Sequence, residues 1–184
     1  MAAKALSGSD AVMKALEALA KKLGGGSVSI GFINGETYPN GTPVAAAAYF
    51  NEFGHGGNFP SPPRPFFRTM ISKESSTWGP KMAALVKSQN YDGGIVLAMM
   101  GEDIRGSLQA SIRDFSSPAL SPTTLMLRAT FGNFPGDIRV RDVLQAQHDV
   151  AEGKKGASGT QAHPLIWTGR MLGSVTYEVT HNGP

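Results

Sequence analysis

Four histidines, two adjacent pairs of ligating side chains and two glycine clusters are the residues whose types could do chemistry. The histidines are His55, His148, His163 and His181. On a helix, metal ligands converge at spacings of three or four, and no histidine stands at that distance from another. His148–Asp149 and Glu102–Asp103 are neighbours in the chain. Adjacent helical side chains diverge by about 100°, so both pairs read as solvated faces rather than ligand sets. A carboxylate pair meeting across the fold, as in a glycosidase, has no positive support in the sequence. A phosphate loop places glycines between a strand and a following helix. Gly24-Gly25-Gly26 instead follows a helical signal and precedes a strand, which makes it a helix stop. His55-Gly56-Gly57 is similar to an oxyanion loop, but the sequence has no G-x-S-x-G nucleophile turn to go with it. It reads as surface loop. The chain has no cysteine, which excludes disulfides, thiolate metal sites and thiol nucleophiles. No catalytic residue, cofactor or metal ligand is assigned.

Length and composition set the frame for these residues. A chain of 184 residues is expected to form a single domain with its own core. Only 17% of residues are charged, while glycine (23) and proline (12) are abundant. Such a chain is expected to carry long loops, some of which order only against a partner. The net charge of +3 comes from scattered residues, with short pairs at Lys21-Lys22 and Lys154-Lys155. Nucleic-acid binders usually cluster their cations on one face. No apolar run approaches the ~20 residues of a membrane span. Met1 to Lys4 leads into an amphipathic segment, not the apolar core of a secretory leader, so synthesis and residence in a cytoplasm are expected.

The elements follow from periodicity. Val12, Leu16, Leu19 and Leu23 lie on one face of a helix over 10–23, with Ser9 or Asp10 as its cap. Val28, Ile30 and Phe32 alternate in a strand over 27–33. Asn34-Gly35 and Asn40-Gly41 mark a loop or a short hairpin tip. Thr42-Pro43 opens an alanine-rich, largely buried helix from Val44 to Phe53, with Thr42 as its cap and Pro43 in the first turn. A loop over 54–63 leads to a helix from Pro65 to Ile71. Gly79-Pro80 is expected to break the chain before another helix over 80–89. Leu97, Met100, Ile104, Leu108, Ile112 and Phe115 stripe a long helix within 92–115. Ser121-Pro122 caps a short helix over 123–130. Residues 131–163 read as a flexible arm or long loop, with a short helix at 141–151. Thr168-Gly169 leads a helical turn, and Val175, Tyr177 and Val179 alternate in a last strand. The order argues for an α+β fold: a small, mostly antiparallel sheet packed by several helices, with long loops.

One further segment concentrates aromatic and basic groups. Between Phe59 and Arg68 lie Arg64, Phe66, Phe67 and Arg68, with Pro63 and Pro65 stiffening the chain. This pattern suits packing or an interface better than base stacking. Phe66 and Phe67 are adjacent, so one can fill the core while the other faces outward.

This segment also carries a resemblance. In order come Val28-Ser-Ile-Gly-Phe-Ile33, Tyr38-Pro-Asn-Gly-Thr42, Val44-Ala45, Asn51-Glu-Phe-Gly54 and Pro63-Arg-Pro-Phe-Phe-Arg68. Residues 116–124 (SSPALSPTT) and Leu165-Ile-Trp-Thr-Gly-Arg-Met-Leu-Gly-Ser174 complete the series. Together they resemble the neck or tail-completion proteins of tailed bacteriophages, also called virion morphogenesis proteins. The match covers most of 27–180, and residues 131–163 look like an insertion relative to that family. The resemblance implies a non-enzymatic virion protein. It would form a homo-oligomeric ring, expected to be a hexamer, at the head–tail junction or the top of the tail. Its neighbours would be head connector or adaptor proteins and tail tube or terminator proteins. Genomic DNA would pass through the channel without sequence-specific binding.

The interface candidates are Phe53, Arg64, Phe66, Phe67 and Arg68, with Lys154 and Lys155 facing an acidic neighbouring ring or the DNA. Arg64 is expected to be an exposed anchor whose replacement spares the fold. Three alternatives remain: a terminator that caps tail-tube growth, a small hydrolase with a non-contiguous site, and a DNA-binding packaging accessory.

Overall fold

The computed structural model describes residues 7–57, 60–132 and 138–182, with side chains from Val12 in the first stretch and up to His181 in the last. The leader reading of Met1–Lys4, the capping side chains of Ser9 and Asp10, Phe59, and 133–137 of the expected arm lie outside these. Among the described residues ten elements succeed one another: α1 (Ser7–Leu23), β1 (Gly25–Gly31), α2 (Val44–Phe53), α3 (Phe66–Ser88), α4 (Gly93–Asp114), α5 (Pro122–Phe131), α6 (Val140–Ala151), a 3-10 turn (Gly159–Ala162), α7 (Arg170–Gly173) and β2 (Thr176–Asn182). β1 and β2 pair antiparallel, giving a small α+β fold. The chain forms two compact units, one of residues 1–30, 74–105 and 177–184, the other of 31–73 and 106–176.

In the first unit, α4 lies close over the sheet. A Cβ at Gly101 would stand 2.4 Å from the Tyr177 ring and 2.9 Å from Val28, and one at Gly26 would stand 2.8 Å from Leu97. Glycine at these two positions sets the helix-to-sheet distance. Val96, Met100 and Ile104 are buried beneath it. Lys81 Nζ meets Asp103 Oδ2 at 2.7 Å, tying α3 to α4. α1 starts at Ser7, a little before the expected 10, and Gly24 ends it in a left-handed conformation (φ 57°). Of its apolar stripe, Val12, Leu16 and Leu23 are exposed and Leu19 is half-buried, and Met13 beside the stripe is exposed too.

The second unit holds the larger core, with Val44, Phe66, Leu108, Ile112 and Val175 at 1% exposure or less. Ser111 Oγ donates to Phe66 O at 2.7 Å, joining α4 to the start of α3. The Ser121 hydroxyl accepts Thr124 N–H at 3.1 Å, the cap expected for α5. Gly169 leads α7 with φ 74°. Ser174 Oγ donates to Glu36 Oε2 at 2.6 Å.

Four expectations change. α3 runs unbroken through Gly79-Pro80. Pro80 removes one intrahelical bond, but this stretch is exposed, so water can serve the freed carbonyl and the turns on either side persist. α2 has the expected bounds, but Pro43 occupies the cap position and no side chain caps it. Nor is α2 largely buried: only Val44, Ala48 and Glu52 are, at a spacing of four. Finally, α6 spans 140–151 and the chain after it folds onto α5, with Ala157 N–H donating to Leu125 O at 2.8 Å. Gly156 makes the approach possible, since a Cβ there would meet the Leu125 carbonyl carbon at 2.5 Å.

Two glycines of α4 give opposite expectations. Gly101→Ala crowds Tyr177 and should lower stability by about 1–3 kcal/mol. Gly106 has open space around its missing Cβ, so Gly106→Ala should raise stability by up to about 1 kcal/mol through helix propensity. Urea midpoints of the two variants against the parent protein check both signs.

Candidate functional site

The N-E-F-G and P-R-P-F-F-R segments form one structural joint. Glu52 is 5% exposed and sits on the buried face of α2. Its carboxylate accepts Phe67 N–H at 2.9 Å and Arg68 N–H at 3.1 Å, both in the first turn of α3. Those amides have no partner within the helix, and a negative charge there also meets the positive end of the helix dipole. Arg68 closes the arrangement, donating from Nε to Glu52 Oε1 at 2.7 Å and from Nη2 to the Glu52 carbonyl at 3.1 Å. The Asn51 carbonyl accepts Arg64 N–H at 2.6 Å. Gly54 turns the chain with φ 73°, and a Cβ there would lie 2.7 Å from Ser61 O and 2.8 Å from Pro63 N. An antiparallel bridge between His55 and Ser61 closes the loop.

The joint presents an aromatic surface. On the outer side of α2, Tyr49, Phe50 and Phe53 are half or more exposed. The Tyr49 ring packs against Phe53 at 4.7 Å and edge-on to Phe50 at 5.9 Å. The Arg68 guanidinium lies 4.8 Å from the centre of the Phe53 ring. Phe53, Phe67, Phe32 and Tyr49 wall an apolar groove of about 230 Å³, floored by Ala45 and Ala48.

The expected interface residues therefore divide. Phe53 and Arg68 are exposed and Phe67 half-buried, all on the groove. Phe66 points inward at 1% exposure, with its ring edge-on to Phe32 at 6.5 Å. Arg64 corrects the expectation of an exposed anchor: it is 6% exposed, and its Nη1 donates to Ser61 Oγ at 2.9 Å. Burial lowers its pKa, and its Nε is buried without a partner. Lys154 and Lys155 are exposed in the loop after α6, but Lys154 is already engaged, 2.8 Å from Asp149 and 3.1 Å from Glu152. His148, Asp149 and Glu152 bring ligand atoms together on that surface, and the two carboxylates hold the Lys154 ammonium. Hydrogen bonds from Lys154 and Gln145 keep the Asp149 carboxyl below its usual range.

Two features escape the sequence argument. Tyr49 and Phe50 follow four alanines, so periodicity gives no contrast to say which face of α2 is outward. Arg128 of α5 is 6% exposed. Its Nη1 donates to the carbonyls of Gln161, His163 and Ile166 at 2.8, 2.7 and 3.0 Å, and its Nη2 lies 3.4 Å from that of Pro164. The Trp167 ring stacks 5.3 Å away, and Trp167 Nε1 donates to Gly132 O. Arg128 thereby draws 161–167 onto α5. A local signal at Arg128 could not reveal partners more than thirty residues downstream.

Glu52→Ala should cost about 2–4 kcal/mol, since it removes a helix cap and leaves buried donors unmatched. Glu52→Gln keeps one acceptor oxygen and should cost less. Arg64→Glu places an unpaired carboxylate in the interior and should also destabilise the fold. Denaturation midpoints order the three, and a neutral Glu52→Ala would remove the joint from the stability argument.

Compared with known proteins, the chain matches no family model, no curated protein and no solved structure.

Proposed function

We propose that this chain is a structural component of a tailed-phage virion that acts by assembling into a ring at the head–tail junction or the top of the tail. The observation that carries the reading is the α2 surface: three exposed aromatic rings beside an apolar groove, braced by an arginine. Aromatic and arginine side chains dominate the energetics of protein interfaces. Exposed apolar clusters rimmed by polar groups are characteristic of association sites. Phe32, Ala45, Phe53, Phe67 and Arg68 of this surface fall within the motifs that carry the phage resemblance, while Tyr49 and Phe50 lie outside them.

A second apolar surface supports a ring rather than a two-fold dimer. On α1, Val12, Met13 and Leu16 are each more than half exposed. A protomer with two different sticky patches can join head to tail, one patch to the other, and such contacts close into rings when the rotation permits. No enzymatic step is part of the proposal. The modest charge of +3 fits DNA passing a channel without base-specific contacts.

The variant Tyr49→Asp/Phe50→Asp should keep its urea midpoint within about 1 kcal/mol of the parent, as both side chains are exposed. Native mass spectrometry should find a ring oligomer for the parent protein and only monomer for the double variant. Negative-stain microscopy of lysates from a phage lacking the gene gives the assembly readout. Separate filled heads and finished tails support completion of the neck, and tails of abnormal length support termination. Normally joined particles, or an oligomer untouched by the double variant, overturn the proposal.

A further inference from the structure

The second unit contains a cationic pocket. Tyr38, Asn40, Arg128, Trp167 and Arg170 contribute to the walls of a cavity of about 210 Å³, and none of the described residues lining it is acidic. Two guanidiniums are thus present without a lining carboxylate to balance them.

Their hydrogen bonds show what each has left to offer. A guanidinium has five N–H donors. Arg128 commits both Nη1 hydrogens, shared among three carbonyls, and one Nη2 hydrogen at the long distance of 3.4 Å. Its Nε is buried without a partner, and one Nη2 hydrogen is unspent. Carbonyl dipoles solvate this cation but do not neutralise it. Burial pushes its pKa down to about 10, and the nearby Arg64 guanidinium adds to the fall. Arg170 is exposed, and its positive charge partly offsets the burial that raises the Tyr38 phenol. Asn40 Oδ1 already accepts Thr42 N–H at 3.1 Å, so its NH₂ is its wholly unspent group. The spare groups of these side chains are therefore chiefly donors.

We infer that this pocket binds a carboxylate, with the Arg170 guanidinium as its main ion-pair partner and the Arg128, Asn40 and Tyr38 donors completing its coordination. A single negative charge suits the site better than a phosphate dianion. Only Arg170 brings a largely unspent guanidinium, while the Arg128 charge is partly offset by the carbonyls around it. The pocket volume admits one acidic side chain or one small organic acid. Carboxylate docking would add an anion to the folded state alone and so stabilise it by mass action. The inference rests on the second unit's own geometry and stands whether or not the chain forms rings.

Trp167 supplies the reporter. The chain has two tryptophans, and Trp78→Phe leaves Trp167 as the sole emitter. Acetate, a short neutral peptide carrying one glutamate, and inorganic phosphate are titrated into the Trp78→Phe protein at constant ionic strength. The expected result is a saturable change in Trp167 emission with the carboxylates, and weaker binding of phosphate. Arg170→Gln, an exposed position, should weaken acetate binding by about tenfold or more, which corresponds to 1.4 kcal/mol. Tighter binding of the peptide than of acetate assigns the carboxylate to a partner chain, and equal binding assigns it to a free acid. No saturable change, a preference for phosphate, or an acetate response that survives Arg170→Gln overturns the inference. Emission in the absence of probe and the urea midpoint establish that Arg170→Gln remains folded.

Discussion

Moving a carboxylate out of water costs several kcal/mol unless other donors replace its hydration. Glu52 is withdrawn almost completely, and two backbone amides and one guanidinium nitrogen take the place of water. These bonds fix where α3 begins. Helical neighbours diverge by about 100°, so a start displaced by one residue would exchange the environments of Phe66 and Phe67. In the observed register Phe66 enters the core and Phe67 lines the groove. The Phe66 carbonyl also meets Ser111 of α4. One buried acid therefore sets the register of a 23-residue helix and places the aromatic surface beside it.

The same constraint explains much of the motif spelling. Glu52 caps α3, Phe53 lies beneath the Arg68 guanidinium, and Gly54 is the residue that fits between Ser61 and Pro63. Pro65 has no N–H to satisfy at the point where the helix opens. Each residue type answers a local requirement, and the requirements belong to a single turn between two helices.

Local chemistry was legible in the sequence wherever a contrast existed. The bounds of α2, the stripe of α4, the Ser121 cap and the Gly169 turn all follow from short-range patterns. The continuity of α3 through Pro80 was not legible, because a proline costs one bond and solvent exposure decides whether that loss ends the helix. The outward face of α2 was hidden by its alanines, which are apolar on every side. Arg64 reads as a surface cation because arginine is rarely fully buried, and no local pattern singles out Arg128. Their burial depends on carbonyls and rings brought from elsewhere, Arg128 meeting a segment more than thirty residues away. Sequence patterns encode periodicity well and distant coordination poorly. Of the residues on the aromatic surface, Phe53, Phe67 and Arg68 stand out in the sequence, while Tyr49 and Phe50 do not.

The two kinds of buried charge in the second unit have different consequences. Glu52 is balanced by Arg68, so its burial is complete within the chain and serves to hold a shape. Arg128 is held by carbonyls and a ring, with the Arg64 cation near enough to disfavour it further. A balanced pair gains nothing from an added ion, whereas an unbalanced cation beside an open cavity gains from any anion that reaches it. The surface that suits assembly and the pocket that suits a carboxylate consequently differ in their physics. The first is apolar, with a polar rim that salt affects little. The second is electrostatic and weakens as ionic strength rises. Salt dependence thus separates the two even where both act in one assembled particle.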